Sequence, residues 1–411
     1  MMTRTKKKSC DILVSGGGIA GLTFAMLMAN LGLTVDLVDP MNPKKLENLM
    51  PSGRTVALMN SALNVIRASG LQSPEKLGNP LRAMRIIDKS ITGKPAQESD
   101  FEAFDIGLDQ YGHNIPNQAL HIALFKQAQQ TKNLTLHCPD KLKNHHFDGH
   151  SAHAEFESGF TISADLIVGA DGRRSLVREL ARIGTVEKSY GQSAITFIIN
   201  HSYCHNDTAT EFHFPSGPLA LVPMPGNQSS VVWVEKTERA EELTKIKKQD
   251  LEQILSGKTD NILGAATLET GIESWPLCMI KAKALTAPGV ALIAEAAHVM
   301  SPITAQGLNL SLRDVAGLAE VLADGARNGL ALNDSTLLKH YEQRRSLDMQ
   351  TRIAGVDGMM RLVSNDISPV KSARRAGFRL IDSILPLKQF AMRHGLAPTI
   401  DQGRLSLGKT L

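Results

Sequence analysis

Residues 10–39 read CDILVSGGGIAGLTFAMLMANLGLTVDLVD, and this stretch decides the fold. Its first segment, Cys10–Ser15, is a short apolar run that ends in glycines, which predicts a buried parallel strand. Ile19–Leu31 is apolar on all sides, which favours a buried helix, and Gly32 stands where helices commonly end. Thr34–Val38 predicts a second strand. The stretch therefore has the order and length of a strand–helix–strand unit.

The glycine-rich turn of this unit, GGGIAG from residue 16 onward, fits the GxGxxG pattern of dinucleotide-binding proteins. Gly16 permits the tight turn, Gly18 lets the backbone approach a pyrophosphate, and Gly21 lets the helix pack closely on the strand. Unpaired N–H groups and the helix dipole favour phosphate at the helix start, which comprises Gly18, Ile19, Ala20 and Gly21. Asp39 lies 23 residues after Gly16, where a carboxylate would accept from a ribose hydroxyl. The motif alone does not distinguish FAD from NAD.

Further elements follow from hydrophobic periodicity and turn residues. The predicted helices are Thr55–Ser69, Gln118–Gln130, Glu238–Leu255 and Leu308–Leu322, and the predicted strands are Leu81–Asp88, Leu134–His137, Thr161–Val168 and Val290–Ala294. Residues 187–280 are rich in β-branched residues and turn signals, so this region, with part of 76–111, predicts a separate mixed sheet. The chain beyond about residue 335 is predicted to be helical.

Composition excludes several function classes. The 411 residues are 42% hydrophobic and carry a net charge of only +4, so no nucleic-acid partner is expected. The four cysteines are scattered without a CxxC pair, which argues against a disulfide framework or a metal site and fits a reducing compartment. The basic N-terminus lacks an apolar segment, so it does not resemble a secretory signal. The expected location is the cytoplasm.

Two later segments and one earlier one carry a family resemblance. Residues 164–178 read ADLIVGADGRRSLVR, residues 287–314 read APGVALIAEAAHVMSPITAQGLNLSLRD, and residues 52–58 read SGRTVAL. Together with the glycine-rich turn, they resemble the single-component FAD-dependent aromatic hydroxylases, and within them the ubiquinone-biosynthesis hydroxylases. The resemblance extends from about Asp11 to Leu322 in the order and spacing of that family.

The resemblance implies an α/β fold with three parts. A Rossmann-like FAD-binding domain would comprise residues 1–75, 112–186 and 284–335. An inserted mixed β-sheet domain for the substrate would comprise residues 76–111 and 187–283. Residues 336–411 would form a C-terminal helical region.

The resemblance also implies a set of FAD-binding residues. Asp171 and Gly172 would meet the diphosphate region, and Arg54 would pack beside the flavin. Pro302 would fix the backbone near the reactive flavin carbon, so Pro302 and Arg54 are the predicted catalytic residues. The N–H groups at the start of a helix would face the flavin N1 and C2 carbonyl, where negative charge collects on reduction; they belong to Gly307, Leu308 and Asn309. His298, in the preceding turn, favours a structural role over proton transfer.

One pair departs from the family pattern. The family has Gly-Asp where this chain has Ala294-Glu295. The Asp accepts a hydrogen bond from a ribityl hydroxyl, and Glu295 keeps that acceptor on a side chain one methylene longer. If position 294 requires a positive φ, Ala294 is strained by about 1 kcal/mol or more. We therefore expect an effect on flavin affinity rather than on the fold.

The function implied by the resemblance is hydroxylation of an aromatic ring with FAD, NAD(P)H and O2, through a C4a-hydroperoxyflavin. The substrate expected from the closest family match is a polyprenyl phenol of ubiquinone biosynthesis. Two alternatives stay open: a hydroxylase of a small soluble aromatic such as a hydroxybenzoate, and a scaffold subunit of a biosynthetic complex. The absence of a second GxGxxG disfavours a two-dinucleotide reductase. No residue stands out as a catalytic acid or base.

The segment Ser372–Leu396 alternates basic and apolar residues. Such an amphipathic surface suits peripheral contact with the inner membrane, and packing against the core of the protein is an equally good interpretation. Contact with a quinone-biosynthesis complex is a further open alternative.

Overall fold

The computed structural model describes residues 7–47, 52–91, 95–301, 306–363, 377, 383–396 and 402–411. The helices are α1 Ile19–Asn30, α2 Pro43–Glu47, α3 Asn60–Ala68, α4 Asn117–Gln130, α5 Leu176–Leu180, α6 Thr237–Leu243, α7 Lys248–Thr259, α8 Gln306–Arg327, α9 Ser335–Val363 and α10 Leu385–Leu396. Short 3-10 helices lie at Pro74–Leu77, Ala103–Ile106 and Ala294–Ala296.

The first eleven strands are β1 Lys7–Ser15, β2 Val35–Val38, β3 Thr55–Met59, β4 Asn79–Leu81, β5 Ala83–Asp88, β6 Gln97–Glu102, β7 Gly112–Pro116, β8 Leu134–His137, β9 Leu142–Phe147, β10 Ala152–Phe156 and β11 Thr161–Gly169. The others are β12 Thr185–His201, β13 Thr208–Phe214, β14 Gly217–Met224, β15 Gln228–Lys236, β16 Ala266–Leu268, β17 Glu273–Ala282, β18 Thr286–Ala287, β19 Val290–Leu292 and β20 His298–Val299.

The glycine-rich turn follows β1, a central strand of an eight-stranded sheet. Its central order is β18-β19-β11-β1-β2-β8, and the pairs from β19 to β8 are all parallel. The hairpin of β9 and β10 adds to β11 in antiparallel fashion. Helices α1, α8 and α9 contribute buried apolar side chains to the same core as this sheet. Because ligands bind at the carboxyl ends of parallel strands, the turns after β1, β11 and β19 are placed for a cofactor.

A nine-stranded sheet lies in the order β20-β17-β12-β15-β14-β13-β5-β6, with β16 paired to β12. One of its faces packs on α6 and α7 through a core that includes Phe197, Phe212 and Trp233. A third, three-stranded sheet has the order β3-β7-β4. The predicted division into FAD-binding, substrate-binding and C-terminal regions stays a prediction. β20, from the segment 284–335, pairs with β17 in the nine-stranded sheet.

Most of the predicted elements are confirmed, and three are corrected. The predicted helix Thr55–Ser69 begins only at Asn60, because Thr55–Met59 pairs with β7 as a strand. The predicted helix Glu238–Leu255 is two helices, α6 and α7, interrupted at residues 244–247. The strand predicted at Val290–Ala294 ends at Leu292, since the chain turns sharply at Ala294.

Part of the predicted amphipathic segment Ser372–Leu396 lies outside the described residues. Its last portion forms α10, which packs against the 3-10 helix Ala103–Ile106 through a hydrogen bond from Gln389 Nε2 to the Asp105 carbonyl (2.7 Å). No helix within the described ranges is both long enough and apolar enough to cross a bilayer.

Candidate cofactor and substrate site

The turn between β1 and α1 has the geometry that its glycines predict. Gly16 has φ +111°, and a Cβ at this position would lie 2.3 Å from the Ala170 carbonyl oxygen. A Cβ on Gly21 would lie 2.0 Å from the Gly16 carbonyl oxygen, so this position accepts only glycine. A Cβ on Gly18 meets nothing within 4 Å. Gly16 and Gly21 therefore permit the packing of the turn, whereas the space beside Gly18 is open to a ligand.

Asp39, at the end of β2, holds this turn in place. Its Oδ2 accepts a hydrogen bond from Gly17 N–H (2.6 Å), and its Oδ1 accepts one from Met41 N–H (2.7 Å). Each carboxylate oxygen has two lone pairs, so these bonds leave acceptor capacity for a ribose hydroxyl. The sequence indicated the ligand role alone, and the structure adds a role in positioning the turn.

Asp171, after β11, binds the first turn of the short helix α5. Its Oδ2 accepts hydrogen bonds from Leu176 N–H (2.8 Å) and Val177 N–H (3.1 Å). Its Oδ1 is buried, and no group among the described residues is its hydrogen-bond partner. Gly172, which follows, has φ +81° and open space at its Cβ position. Asp171 is thus oriented by α5, and one buried oxygen is left for another group.

Ala294 is the strained residue that the family comparison predicted. It is buried and has φ +57°, in the left-handed region that glycine tolerates far better than alanine. Its N–H donates to Asp314 Oδ2 (3.0 Å), which holds the turn in this conformation. The next residue, Glu295, is exposed, and its Oε2 lies 3.8 Å from Arg173 Nε. The expectation of strain at Ala294 is confirmed.

Asp314, in α8, accepts hydrogen bonds from three sides. Besides Ala294 N–H, its Oδ2 accepts from His298 Nε2 (2.6 Å), and its Oδ1 accepts from Arg345 Nε (2.9 Å). Arg345 in turn donates to Asp348 Oδ2 (2.7 Å). All four side chains of this network are at most 2% exposed. Burial alone would raise the pKa of the Asp314 carboxyl, but the charges of His298 and Arg345 outweigh it and lower that pKa. His298 lines the cavity described below, and its Nε2 is engaged by Asp314 in a structural bond.

The start of α8 is fixed against β3. Asn309 Nδ2 donates to the Ala57 carbonyl oxygen (2.8 Å), and Met59 N–H donates to Asn309 Oδ1 (2.9 Å). The side chain of Asn309 therefore joins α8 to β3, so this residue would contact a cofactor through its backbone. Gly307 and Leu308 line the cavity described below. Pro302, the predicted catalytic residue of the preceding loop, lies outside the described residues.

Arg54, in the loop before β3, lines the same cavity as this helix start. Its guanidinium carbon sits 4.6 Å from the centre of the Trp275 ring, a cation–π contact between the loop before β3 and the nine-stranded sheet. Both side chains line the same cavity. Stacking on Trp275 holds the long Arg54 side chain in one orientation.

A cavity of about 1070 Å3 connects these parts. Predicted site residues that line it are Gly18, Ile19, Ala20, Gly21, Arg54, Gly172, Glu295, Gly307 and Leu308. From the glycine-rich turn the cavity continues onto an apolar wall, which includes Met84, Phe101, Val222, Val232, Val234, Leu277 and Met300. The predicted residues Gly16, Asp39, Asp171 and Asn309 do not line the cavity; they hold in place the turns and the helix start that do. The volume of the cavity is large enough for one end of a dinucleotide together with a second, apolar ligand.

Sequence patterns did not indicate several polar residues of this cavity, which lie on α4, on β7 and directly before β7. His121 Nε2 lies 2.7 Å from the Gly17 carbonyl oxygen, and Gln118 lies on the same helix. Tyr111 Oη, Asn114 Oδ1 and Asn117 Oδ1 are buried, and the described part of the chain offers them no hydrogen-bond partner. Because buried polar atoms are normally hydrogen-bonded, these three atoms indicate a ligand or ordered water in the cavity. The sequence feature that could have indicated these residues is the start of a helix at residue 117, directly after a strand.

These features fit FAD. The open space at Gly18, the unpaired Asp171 Oδ1 and the N-terminal turns of α1 and α8 provide backbone N–H groups and acceptors for a phosphate and a polar ring edge. The cavity is long enough to reach from the glycine-rich turn to the start of α8.

Comparison with known proteins agrees with this geometry. Residues 9–354 match the family model described as FAD binding domain. Ubiquinone hydroxylase UbiL of Rhodospirillum rubrum is 34% identical over 99% of this chain and 92% of its own length. The 3-demethoxyubiquinol 3-hydroxylase of Escherichia coli is 27% identical, covering 94% of this chain and 98% of its own. The crystal structure of p-nitrophenol 4-monooxygenase PnpA from Pseudomonas putida superposes with a TM-score of 0.77 at 16% identity, covering 97% and 99% of the two chains. The chain therefore belongs to the FAD binding domain family, and FAD is its cofactor.

Proposed function

We propose that this protein is an FAD-dependent monooxygenase that hydroxylates the ring of a prenylated phenol in ubiquinone biosynthesis, with NAD(P)H and O2 as co-substrates. The observation that carries the proposal is the cavity that joins the glycine-rich turn and the start of α8 to an apolar sheet face. The names of the two relatives above, a ubiquinone hydroxylase and a demethoxyubiquinol hydroxylase, support this substrate class.

The protein would hold FAD along one edge of the eight-stranded sheet. The proposed binding residues are Gly16, Gly18, Ile19, Ala20, Gly21, Asp39, Arg54, Asp171, Gly172, Glu295, Pro302, Gly307, Leu308 and Asn309. FAD bound there would supply the redox chemistry, namely hydride acceptance from NAD(P)H and activation of O2 for transfer of one oxygen atom. Pro302 and Arg54 stay the proposed catalytic residues. Arg54, stacked on Trp275, would orient the substrate ring and keep positive charge near it.

The apolar wall has two functions in this proposal. Val222, Val232, Val234 and Leu277 keep water away from the reacting atoms, and water would divert activated oxygen into hydrogen peroxide. The same side chains solvate a prenyl tail, since each buried CH2 group contributes about 0.8 kcal/mol to binding. A small charged aromatic would not use this wall, which favours the prenylated substrate over a hydroxybenzoate.

Peripheral contact with a membrane is part of the proposal, with α10 as the contact. Ala391 and Met392 of α10 line the cavity, and Leu385 at its start is 55% exposed. Phe104, in the adjoining 3-10 helix, is 84% exposed. Exposed apolar side chains near a cavity for an apolar substrate suit uptake from a bilayer. Liposome flotation of the wild type and of Phe104→Asp tests this contact, and equal flotation of both would contradict it.

The test of the function is a deletion strain complemented with the wild-type gene. We expect the deletion to accumulate a prenylated phenol that lacks one hydroxyl group, detected by mass spectrometry, and the wild-type gene to restore the quinone. Unchanged quinone content in the deletion strain would refute the ubiquinone substrate and support the small-aromatic alternative. The scaffold alternative predicts restoration by a protein that binds no FAD, which the visible absorbance of the purified protein checks.

A further inference from the structure

The face of the nine-stranded sheet that borders the cavity is apolar except for a few side chains. Opposite residues run across it in register: Ile86 on β5 faces Glu211 on β13, Glu211 faces Ala220 on β14, and Ala220 faces Val232 on β15. Directly opposite residues in a sheet point to the same face. These four residues all line the cavity, so Glu211 brings a carboxylate into an otherwise hydrocarbon row.

Glu211 forms a pair with His213, two residues along the same strand. His213 Nε2 lies 2.8 Å from Glu211 Oε1. The side chain of His213 is 3% exposed and that of Glu211 is 20% exposed, and both line the cavity. Phe212, between them, points into the opposite core, as alternation along a strand requires. The histidine thus holds one carboxylate oxygen from behind, and the second oxygen of the carboxylate is available to a ligand.

The pair lies on the side of the cavity away from Arg54. The loop that carries Arg54 contacts β15, where Ser230 Oγ donates to the Gly53 carbonyl oxygen (3.3 Å). From Val232 on β15 to Glu211 on β13 is two strand spacings, about 10 Å. A ring that lies over β14, between the Arg54 loop and β13, would be one strand spacing, about 5 Å, from Glu211.

We infer that Glu211 is the general base for the substrate hydroxyl, with His213 as its positioning residue; this rests on the proposed function. When the ring donates an electron pair to the incoming oxygen atom, positive charge develops on the hydroxyl already attached to the ring. That O–H group then becomes strongly acidic, so a carboxylate is a sufficient base. The O–H bond breaks, its proton passes to Glu211, and its electron pair forms a ring C=O. The ring carbon then loses its hydrogen as a proton, which leaves with the second oxygen atom of O2 as water, and the C–H electron pair restores aromaticity. At the same time Glu211 gives its own proton back to the ring oxygen, so the carboxylate is regenerated.

The test compares two probes, 2-geranylphenol and its methyl ether, on the FAD-loaded wild type and on Glu211→Gln. The ether has no hydroxyl proton to transfer. We expect Glu211→Gln to lower kcat on the phenol by about 100- to 10,000-fold, the usual contribution of a general base, with little change in KM. The rate on the ether should stay within about threefold of the wild type, because no base is used there. His213→Gln should lower kcat on the phenol less than Glu211→Gln does.

Binding provides a readout that does not depend on turnover. Quenching of tryptophan fluorescence by each probe should show the wild type binding the phenol about tenfold more tightly than the ether, since a hydrogen bond to a charged group has this strength. Glu211→Leu should abolish that preference. Absence of ring hydroxylation by the wild type, with the binding preference intact, would overturn the proposed function and the base role together, and would support only the contact of Glu211 with the phenol hydroxyl. Glu273, at the start of β17, is another carboxylate that lines the cavity. Equal effects of Glu211→Gln on phenol and ether, or a phenol-selective loss in Glu273→Gln instead, would overturn the assignment of Glu211 as the base.

Discussion

Replacement of Asp314 by Asn tests how the turn at Ala294 is held. In the wild type, Asp314 Oδ2 accepts from Ala294 N–H and His298 Nε2, and Oδ1 accepts from Arg345 Nε. An Asn side chain offers one oxygen, so its NH2 group must face a donor on one of these sides. Arg345, which is 2% exposed, would lose a buried counter-charge. Removing one partner of a buried ion pair typically costs about 3–5 kcal/mol.

The assay is thermal unfolding of the FAD-free and FAD-loaded proteins. For a chain of 411 residues, about 3–5 kcal/mol corresponds to a Tm lower by roughly 3–6 °C. Because the same carboxylate holds the turn before Glu295, FAD affinity should fall as well. The matched control is Glu242→Gln, which breaks the exposed pair with Arg239 (2.7 Å) and should cost no more than about 0.5 kcal/mol. A loss below about 1 kcal/mol in the Asp314 variant would refute the proposed role of the network.

The same network gives a pH dependence of defined sign. The folded-state pKa of Asp314 is lowered by the His298 and Arg345 charges, although burial opposes this. The contribution of Asp314 to folding stability is therefore fully present at pH values above its pKa in the unfolded chain, about 4, and it is lost as the pH falls through its pKa in the folded protein. Below about pH 4 the wild type should lose stability more steeply than Asp314→Asn. Parallel curves for the two proteins would show that Asp314 does not titrate in this way.

Four further substitutions probe the cofactor site. Gly21→Ala should lower the free energy of unfolding by about 1–3 kcal/mol or more, because its Cβ would lie 2.0 Å from the Gly16 carbonyl oxygen. Gly18→Ala should instead leave Tm within about 1 °C and weaken FAD binding at least about tenfold. Equal Tm losses in the two variants would contradict this. Glu295→Ala should weaken FAD about tenfold, measured by flavin fluorescence, if its carboxylate accepts from the ribityl chain; unchanged affinity would exclude that contact. Asn309→Ala should lower the free energy of unfolding by about 2–4 kcal/mol, measured by chemical denaturation, because two bonds to β3 are lost; a loss below about 1 kcal/mol would show that these bonds do not hold α8.

Sequence patterns predicted the parts of the site that depend on backbone conformation. A glycine is needed wherever φ is positive or a Cβ would collide, so Gly16 and Gly21 were identifiable from spacing alone. The replacement of Gly by Ala at position 294 predicted strain for the same reason, and φ is +57° there. The prediction of helix for Thr55–Met59 is wrong, because a threonine followed by four apolar residues does not distinguish a strand from a helical turn. Its partner β7 lies far along the chain.

The sequence by itself determined the nucleotide-binding unit, its glycine positions and the family, because local sterics and hydrophobic periodicity are properties of short segments. Only the tertiary structure decided which groups meet. Asp314 reaches Ala294 and Arg345 across three elements, Asn309 reaches β3, and Glu211 faces the cavity because of the register of β13 with its neighbours. Such contacts join residues that are distant in sequence. Topology and register place them, and no pattern within a single segment encodes either.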